Sequence, residues 1–289
     1  MIPASFAYHR PTSVSDAIAL LSDLGEAARP LAGGHSLIPM MKLRLAAPGA
    51  LVDVARIAEL RGIRRDGGNV VIGSATTIAE LITSDELAAG IPIIRETSLL
   101  IADPQVRGRA TIGGNVANGD PGNDMPAVMQ CLDASYLIRS RGGAREIAAR
   151  DFYQGVYLTA LHPGELITGI RIPLPAAGHG WAYEKLKRKV GDYATAAAGV
   201  VLVMRRGQVA QASIGLTNVG DTPLLAAQAA AILTGSALDP ATVDRAVAAA
   251  EAITTPASDG RGPAEYRTKM AGVMLRRALA GAAVRAATH

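Results

Sequence analysis

Apolar residues at Val14, Ala17, Ile18, Leu21 and Leu24 recur every three or four positions, which predicts a helix over residues 14–24 that Gly25 ends. A short apolar piece then closes in Leu31-Ala32-Gly33-Gly34, and residues 37–45 predict a second helix. Pro48-Gly49 breaks the chain, and Leu51-Val52-Asp53-Val54 alternates as a strand does, so the opening is β-α-β-like. Residues 63–74 read as a hairpin turning at Asp66-Gly67-Gly68-Asn69. Helical patterns follow over residues 77–82, 92–100 and 126–132. Strand patterns cover residues 135–138 and 166–173.

Pro173-Leu174-Pro175-Ala176-Ala177-Gly178-His179-Gly180 is the best linker in the chain. Beyond it residues 181–186, 193–204 and 209–218 predict three long strands, and residues 223–233, 240–252 and 263–287 predict helices. The expected fold class is α+β. Residues 1–177 form a first domain in two parts (about 1–55 and 56–177), and residues 178–289 form a smaller domain of antiparallel sheet plus helices.

Composition narrows what such a chain does. Apolar residues make up 49% and charged ones 19%, an ordinary globular balance. Aromatics are only 3%, so the cores are aliphatic, and the stacking platforms of single-strand nucleic-acid binders are not expected. The formal charge is +4, with one dense run, Lys185-Leu186-Lys187-Arg188-Lys189, that reads as a solvated strand or as an anion- or partner-facing segment. The longest apolar run, residues 193–204, falls short of the ~20 residues of a membrane span. The start, Met1-Ile2-Pro3-Ala4-Ser5-Phe6, has no basic stretch followed by an apolar one, so no signal peptide is expected. The single cysteine, Cys131, excludes a disulfide within the chain and points to a reducing, cytoplasmic location. It also leaves the chain short of the about four thiolates that an iron–sulfur cluster needs, and Cys131 is expected to be buried and inert.

Gly-Gly pairs occur at Gly33-Gly34, Gly67-Gly68, Gly113-Gly114 and Gly142-Gly143. The second and fourth fit simple turns. The first, in Ala32-Gly33-Gly34-His35-Ser36, lies between a strand-like piece and a helical one. The third, in Thr111-Ile112-Gly113-Gly114-Asn115, leads into the long polar loop Asn118-Gly119-Asp120-Pro121-Gly122-Asn123-Asp124. Backbone chemistry alone leaves two readings: independent turns, or two loops whose main-chain N–H groups hold the two phosphates of a dinucleotide. No Gly-x-x-x-x-Gly-Lys-Ser/Thr, Gly-x-Gly-x-x-Gly, His-Glu-x-x-His or Gly-x-Ser-x-Gly occurs, which disfavours P-loop, Rossmann, zincin and hydrolase sites.

Taken in order, the two loops resemble the paired FAD-pyrophosphate loops of the flavoprotein subunits of molybdenum hydroxylases, of the aerobic carbon monoxide dehydrogenase medium-subunit type. The likeness continues through Leu37-Ile38-Pro39-Met40-Met41-Lys42-Leu43-Arg44, Ile101-Ala102-Asp103-Pro104-Gln105-Val106-Arg107, Tyr183-Glu184-Lys185-Leu186-Lys187-Arg188-Lys189 and Leu216-Thr217-Asn218-Val219. It implies a two-part FAD-binding domain like that of vanillyl-alcohol oxidase, followed by a C-terminal flavoprotein domain. It further implies that the backbone of Ala32, Gly33, Gly34, His35 and Ser36 and of Thr111, Ile112, Gly113, Gly114 and Asn115 cradles the FAD diphosphate. By the same resemblance Asp124 contacts the ribityl or adenosine portion, Ile101 and Ala102 lie near the isoalloxazine ring, and Lys185 and Tyr193 border it. His35 is expected to pack or hydrogen-bond, with FAD held non-covalently. Molybdenum cofactor and [2Fe-2S] clusters are implied only in partner subunits, a large and a small one, in a dimer of heterotrimers. Such a complex permits peripheral membrane association. No catalytic residue, metal ligand or nucleic-acid partner is assigned. The rival readings are a stand-alone flavin oxidase and a flavin-free scaffold. The substrate of the complex is expected to be carbon monoxide, with an aldehyde or N-heteroaromatic as the alternative.

Overall fold

The computed structural model describes residues 2–287; the predicted C-terminal domain therefore has its last two positions, 288 and 289, outside the described residues. Strands β1 (Ala7–His9), β2 (Ala28–Leu31) and β3 (Ala50–Asp53) form a parallel sheet in the order β1-β3-β2. Helix α1 (Val14–Leu24) joins β1 to β2 and is capped by the Ser13 hydroxyl, which accepts from the Asp16 amide. It buries Val14, Ala17, Ile18 and Leu21 against the sheet. Helix α2 (Leu37–Lys42) lies on the way to β3.

The second sheet takes its strands from distant parts of the chain. β4 (Ile63–Asp66) and β5 (Asn69–Gly73) make the predicted hairpin, β6 (Ser135–Ser140) and β7 (Gly143–Ala148) a second one, and a small ribbon of β8 (Tyr153–Gly155) and β9 (Leu158–Thr159) follows. β10 (Leu166–Pro173) pairs with β5 and β6, giving the antiparallel order β4-β5-β10-β6-β7. Between β5 and β6 run six helices: α3 (Ile78–Thr83), α4 (Asp85–Gly90), α5 (Pro92–Leu100), α6 (Pro104–Arg107), α7 (Ile112–Ala117) and α8 (Asp124–Cys131). Of residues 111–115, expected as a loop, 112–115 are thus helical: the Thr111 hydroxyl accepts from the Gly114 amide and caps the turn.

The third sheet is β11 (Gly180–Leu186), β12 (Ala196–Arg205), β13 (Gln208–Thr217) and β14 (Leu224–Leu225), antiparallel in that order. β12 explains the long apolar run. Its even positions Ala196, Ala198, Val200 and Leu202 enter the core made with α9 (Ala227–Leu233), α10 (Pro240–Ala252) and α11 (Ala264–Ala287), while Ala197 and Val201 enter the core shared with α8. A strand buried on both faces shows no polar alternation. Glycines let the layers close: a Cβ at Gly180 would sit 1.8 Å from the Ala282 carbonyl oxygen of α11, and one at Gly215 would sit 2.4 Å from the Ala127 carbonyl oxygen of α8. Among the described residues no helix is long and apolar enough to cross a membrane, and no group of His, Cys, Asp and Glu could hold a metal ion.

Candidate functional site

The two glycine stretches, some eighty positions apart in the chain, meet in space. A Cβ on Gly33 would lie 2.3 Å from the Arg109 carbonyl oxygen and 2.7 Å from the Ala110 Cα, so the first loop touches the approach to the second with no room for a side chain. The second stretch is anchored from behind. Ile112 N–H donates to the Thr76 carbonyl at 3.0 Å and Gly113 N–H to the Ser74 carbonyl at 2.9 Å, and a Cβ on Gly113 would meet the Ser74 Cβ at 2.5 Å.

Between them opens a cavity of about 390 Å³. Ala32, Gly33, Gly34 and Thr111 line it, together with Tyr8, Asp53, Arg56, Arg61, Thr77 and Arg109, which the sequence reading did not single out. It lies beyond the carboxyl ends of the parallel strands, where open α/β sheets bind ligands. The amides of Gly33, Gly34, His35 and Ser36 donate to no group among the described residues, and Gly34 takes a left-handed φ of 76°. Ser36 precedes α2 without using its hydroxyl as a cap, and His35 is exposed. These amides are free for an anion. The amides of Ile112, Gly113, Gly114 and Asn115 are already spent, on Thr76, Ser74, the Thr111 hydroxyl and the Thr111 carbonyl. From the second stretch Thr111 lines the cavity, and its hydroxyl accepts from Gly114 and keeps its own hydrogen to donate.

The other predicted residues gather in a second cluster where α5, α8, β11 and the loop before β12 meet. Asn115 links the two clusters: its side-chain oxygen accepts from the Met125 amide at 3.3 Å, and its carbonyl from the Asn123 side chain at 2.8 Å. Asp124 begins α8 and is buried, with Tyr183 Oη donating to Oδ1 at 2.7 Å and Lys185 Nζ donating to Oδ2 at 2.7 Å. Burial pushes the Asp124 carboxyl above its ordinary range, against the opposing pull of Lys185 and Tyr183. Tyr183 also lies 3.2 Å from the Thr217 hydroxyl.

Ile101 and Ala102 connect α5 to α6. Ile101 is buried, and Ala102 holds a φ of 44°, a strained value for a residue with a Cβ. Their carbonyls are clamped by Arg107, which donates to Ile101 at 2.9 Å and to Leu99 and Ala102 at 3.3 Å. Lys185 donates also to the Leu100 carbonyl at 3.3 Å, so one lysine ties this segment to Asp124. Tyr193 packs against Gly122, where a Cβ would lie 2.9 Å from its ring, with the Arg261 guanidinium 5.9 Å from the ring centre. Burial and then the Asp120 charge push the Tyr193 phenol upward.

Residues 4–175 match the model of the FAD-binding domain in molybdopterin dehydrogenase, and residues 181–282 match the CO dehydrogenase flavoprotein C-terminal domain. The chain belongs to the FAD-binding subunits of the molybdenum hydroxylases. This flavoprotein subunit is 68% identical over 99% of both chains to the carbon monoxide dehydrogenase medium chain of Afipia carboxidovorans. It is 49% identical to that of Hydrogenophaga pseudoflava, over 99% of this chain and all of the relative. The solved structure of reconstituted CO dehydrogenase from Oligotropha carboxidovorans superposes on it with a TM-score of 0.98, at 68% identity, covering 99% of this chain and all of that one. The subunit is therefore part of an oxidoreductase, its cofactor is FAD, and its two-part FAD-binding domain with a smaller C-terminal domain is the expected α+β architecture. The residues fit the group: unclaimed amides and a left-handed glycine on one wall of a cleft, and a hydroxyl with arginines on the other, suit a diphosphate.

Asp53 and Arg109 carried weak sequence signals, an acid within a predicted strand and a base two positions before Thr111. Tyr8, Arg56 and Arg61 carried none, because only the sheet order brings them to the cleft.

Proposed function

We propose that this chain is the flavin-carrying subunit through which a carbon monoxide-oxidising molybdenum hydroxylase passes electrons to an external acceptor. The observation that carries the substrate is the 68% identity to a carbon monoxide dehydrogenase medium chain across 99% of both sequences. A large subunit bearing the molybdenum cofactor oxidises the substrate, and a small subunit bearing [2Fe-2S] clusters adjoins this chain, in a cytoplasmic dimer of heterotrimers. Cys131, the single thiol, is buried in the core and serves no cluster.

FAD, when bound, supplies the redox chemistry, accepting electrons one at a time and giving them up to the acceptor. The chain's own residues bind and orient it. The amides of Gly33, Gly34, His35 and Ser36, with the Thr111 hydroxyl, hold the diphosphate. Ala32, Ile112, Gly113 and Gly114 set the backbone shape of the cradle, and Asn115 and Asp124 fix the passage between its two halves. Ile101 and Ala102 form a wall for the ring system, with Lys185 and Tyr193 at its border. No side chain is required as a general acid or base. His35 holds no covalent bond to the flavin, so acid precipitation releases all yellow colour into the supernatant.

Anaerobic addition of carbon monoxide to the purified complex tests the assignment. The visible flavin band bleaches in the complex and stays unchanged in the separated chain. Bleaching of the separated chain by a small substrate establishes a stand-alone oxidase instead, and a complex without flavin establishes a scaffold.

A further inference from the structure

Asp53 is unexplained by a site built for a diphosphate. It ends β3 and lines the cavity beside Arg56, Arg61 and Arg109. A carboxylate facing a doubly negative diphosphate is repulsive. Arginines in this position need no explanation; an aspartate does. Nor is Asp53 there to neutralise them. Among the described residues it makes no ion pair, whereas Arg61 pairs with Glu80 at 3.2 Å. The carboxylate is nevertheless held in place. Tyr8 Oη donates to Oδ2 at 2.5 Å and the Ala55 amide donates to Oδ1 at 3.0 Å, which uses two of the about four acceptor positions a carboxylate offers. The remaining ones can take only a donor.

Strand register says which donor. Leu31 and Asp53 are Cα partners in the parallel pair β2–β3, so Asp53 stands one strand spacing, about 4.8 Å, from the residue that leads directly into Ala32-Gly33-Gly34. A group one sugar away from a diphosphate seated on those glycine amides reaches it. In FAD that group is the adenosine ribose with its two vicinal hydroxyls; the amine of the adenine ring lies a whole ring further off. We propose that Asp53, steadied by Tyr8, accepts hydrogen bonds from the ribose hydroxyls of the adenosine half of FAD, and so makes the subunit prefer FAD to FMN. The assignment rests on the reading that the diphosphate lies between residues 32–36 and Thr111.

The test uses the assembled complex after removal of its flavin, with the Asp53→Asn and Tyr8→Phe variants beside the parent. FAD, FMN and the 2′,3′-dideoxyadenosine analogue of FAD are titrated by flavin fluorescence. Asp53→Asn raises the Kd for FAD by about 10- to 100-fold, the range of a hydrogen bond to a charged group, and Tyr8→Phe raises it by about threefold. The Kd for FMN changes less than twofold in either variant. The dideoxy analogue binds the parent at least tenfold more weakly than FAD does, and binds Asp53→Asn no more weakly than FAD does. An Asp53→Asn complex that binds FAD within twofold of the parent overturns the assignment. So does one in which FAD and FMN weaken equally, since that outcome reports general damage to the cleft, or one that still discriminates against the dideoxy analogue as the parent does. A parent complex that binds neither flavin overturns the underlying reading and this assignment together.

Discussion

Lys185 Nζ lies 2.7 Å from Asp124 Oδ2, with the two side chains only 1% and 5% exposed. The pair joins β11 of the C-terminal domain to the first residue of α8 in the FAD-binding domain. Two charges out of water are tolerable here because each is further satisfied, Asp124 by Tyr183 and Lys185 by the Leu100 carbonyl.

Removing one partner leaves the other charge buried alone. Lys185→Met is expected to cost about 3–5 kcal/mol in stability, and the double variant Asp124→Asn/Lys185→Met to recover most of it. Urea unfolding of the four proteins of this cycle measures both quantities. A single-variant cost below about 1 kcal/mol would show that the ion pair does not hold the seam.

Glycines that share letters differ in consequence. Gly68 has open space where a Cβ would go, whereas Cβ atoms at Gly33 and Gly113 would run into Arg109 and Ser74 backbone atoms at 2.3 and 2.5 Å. Gly68→Ala therefore leaves the melting temperature within about 1 °C, while Gly33→Ala and Gly113→Ala destabilise by about 1–3 kcal/mol and lower the flavin content of the purified complex. Flavin-to-protein ratios and thermal melts decide this.

Glu165 receives both arms of Arg145, at 2.7 and 2.6 Å, and the His162 amide at 2.8 Å. The Arg145 hydrogen bond, above all, holds its carboxyl below the ordinary carboxylate range. A carboxyl with a lowered native pKa binds fewer protons folded than unfolded, so its contribution is complete above the unfolded value of about 4.3 and disappears as pH falls through the native value. Glu165→Gln should cost about 1–2 kcal/mol near pH 7, a range reduced for the partial exposure of Arg145, and the gap to the parent should close under acid. Melting curves of the two proteins across that range check the sign; a gap that widens on acidification refutes it.

Burial pushes the Cys131 thiol up to about 12, and its sulfur hydrogen-bonds the Gly199 carbonyl at 3.3 Å. A thiol-reactive chromophore should find no reactive cysteine in the native protein at pH 8 and one per chain in denaturant.

Much of the fold was legible because burial on one face imprints a period. The helices over residues 14–24, 92–100 and 240–252 and the strand over residues 166–173 have the limits the apolar pattern predicts. Failures occurred where the pattern is silent. Residues 112–117 contain two glycines and an asparagine, and become helical because Thr111 caps them and the strand end at Ser74 and Thr76 anchors their amides. Leu224 and Leu225, expected to begin a helix, add instead to the free edge of β13, a choice made by an edge that only exists once the sheet has formed.

The sequence by itself determined the local periods and the family to which its paired glycine motifs belong. The tertiary structure alone decided that the first glycine stretch keeps its amides free while the second spends its own on Thr76, Ser74 and Thr111. It also decided that Asp124 and Lys185 are one buried pair, and that Tyr8 and Asp53 stand at the same cleft as Thr111. Periodicity records which face of an element is buried, whereas hydrogen-bond partners and cleft walls are set by the order in which distant strands pair, and no local pattern encodes that order.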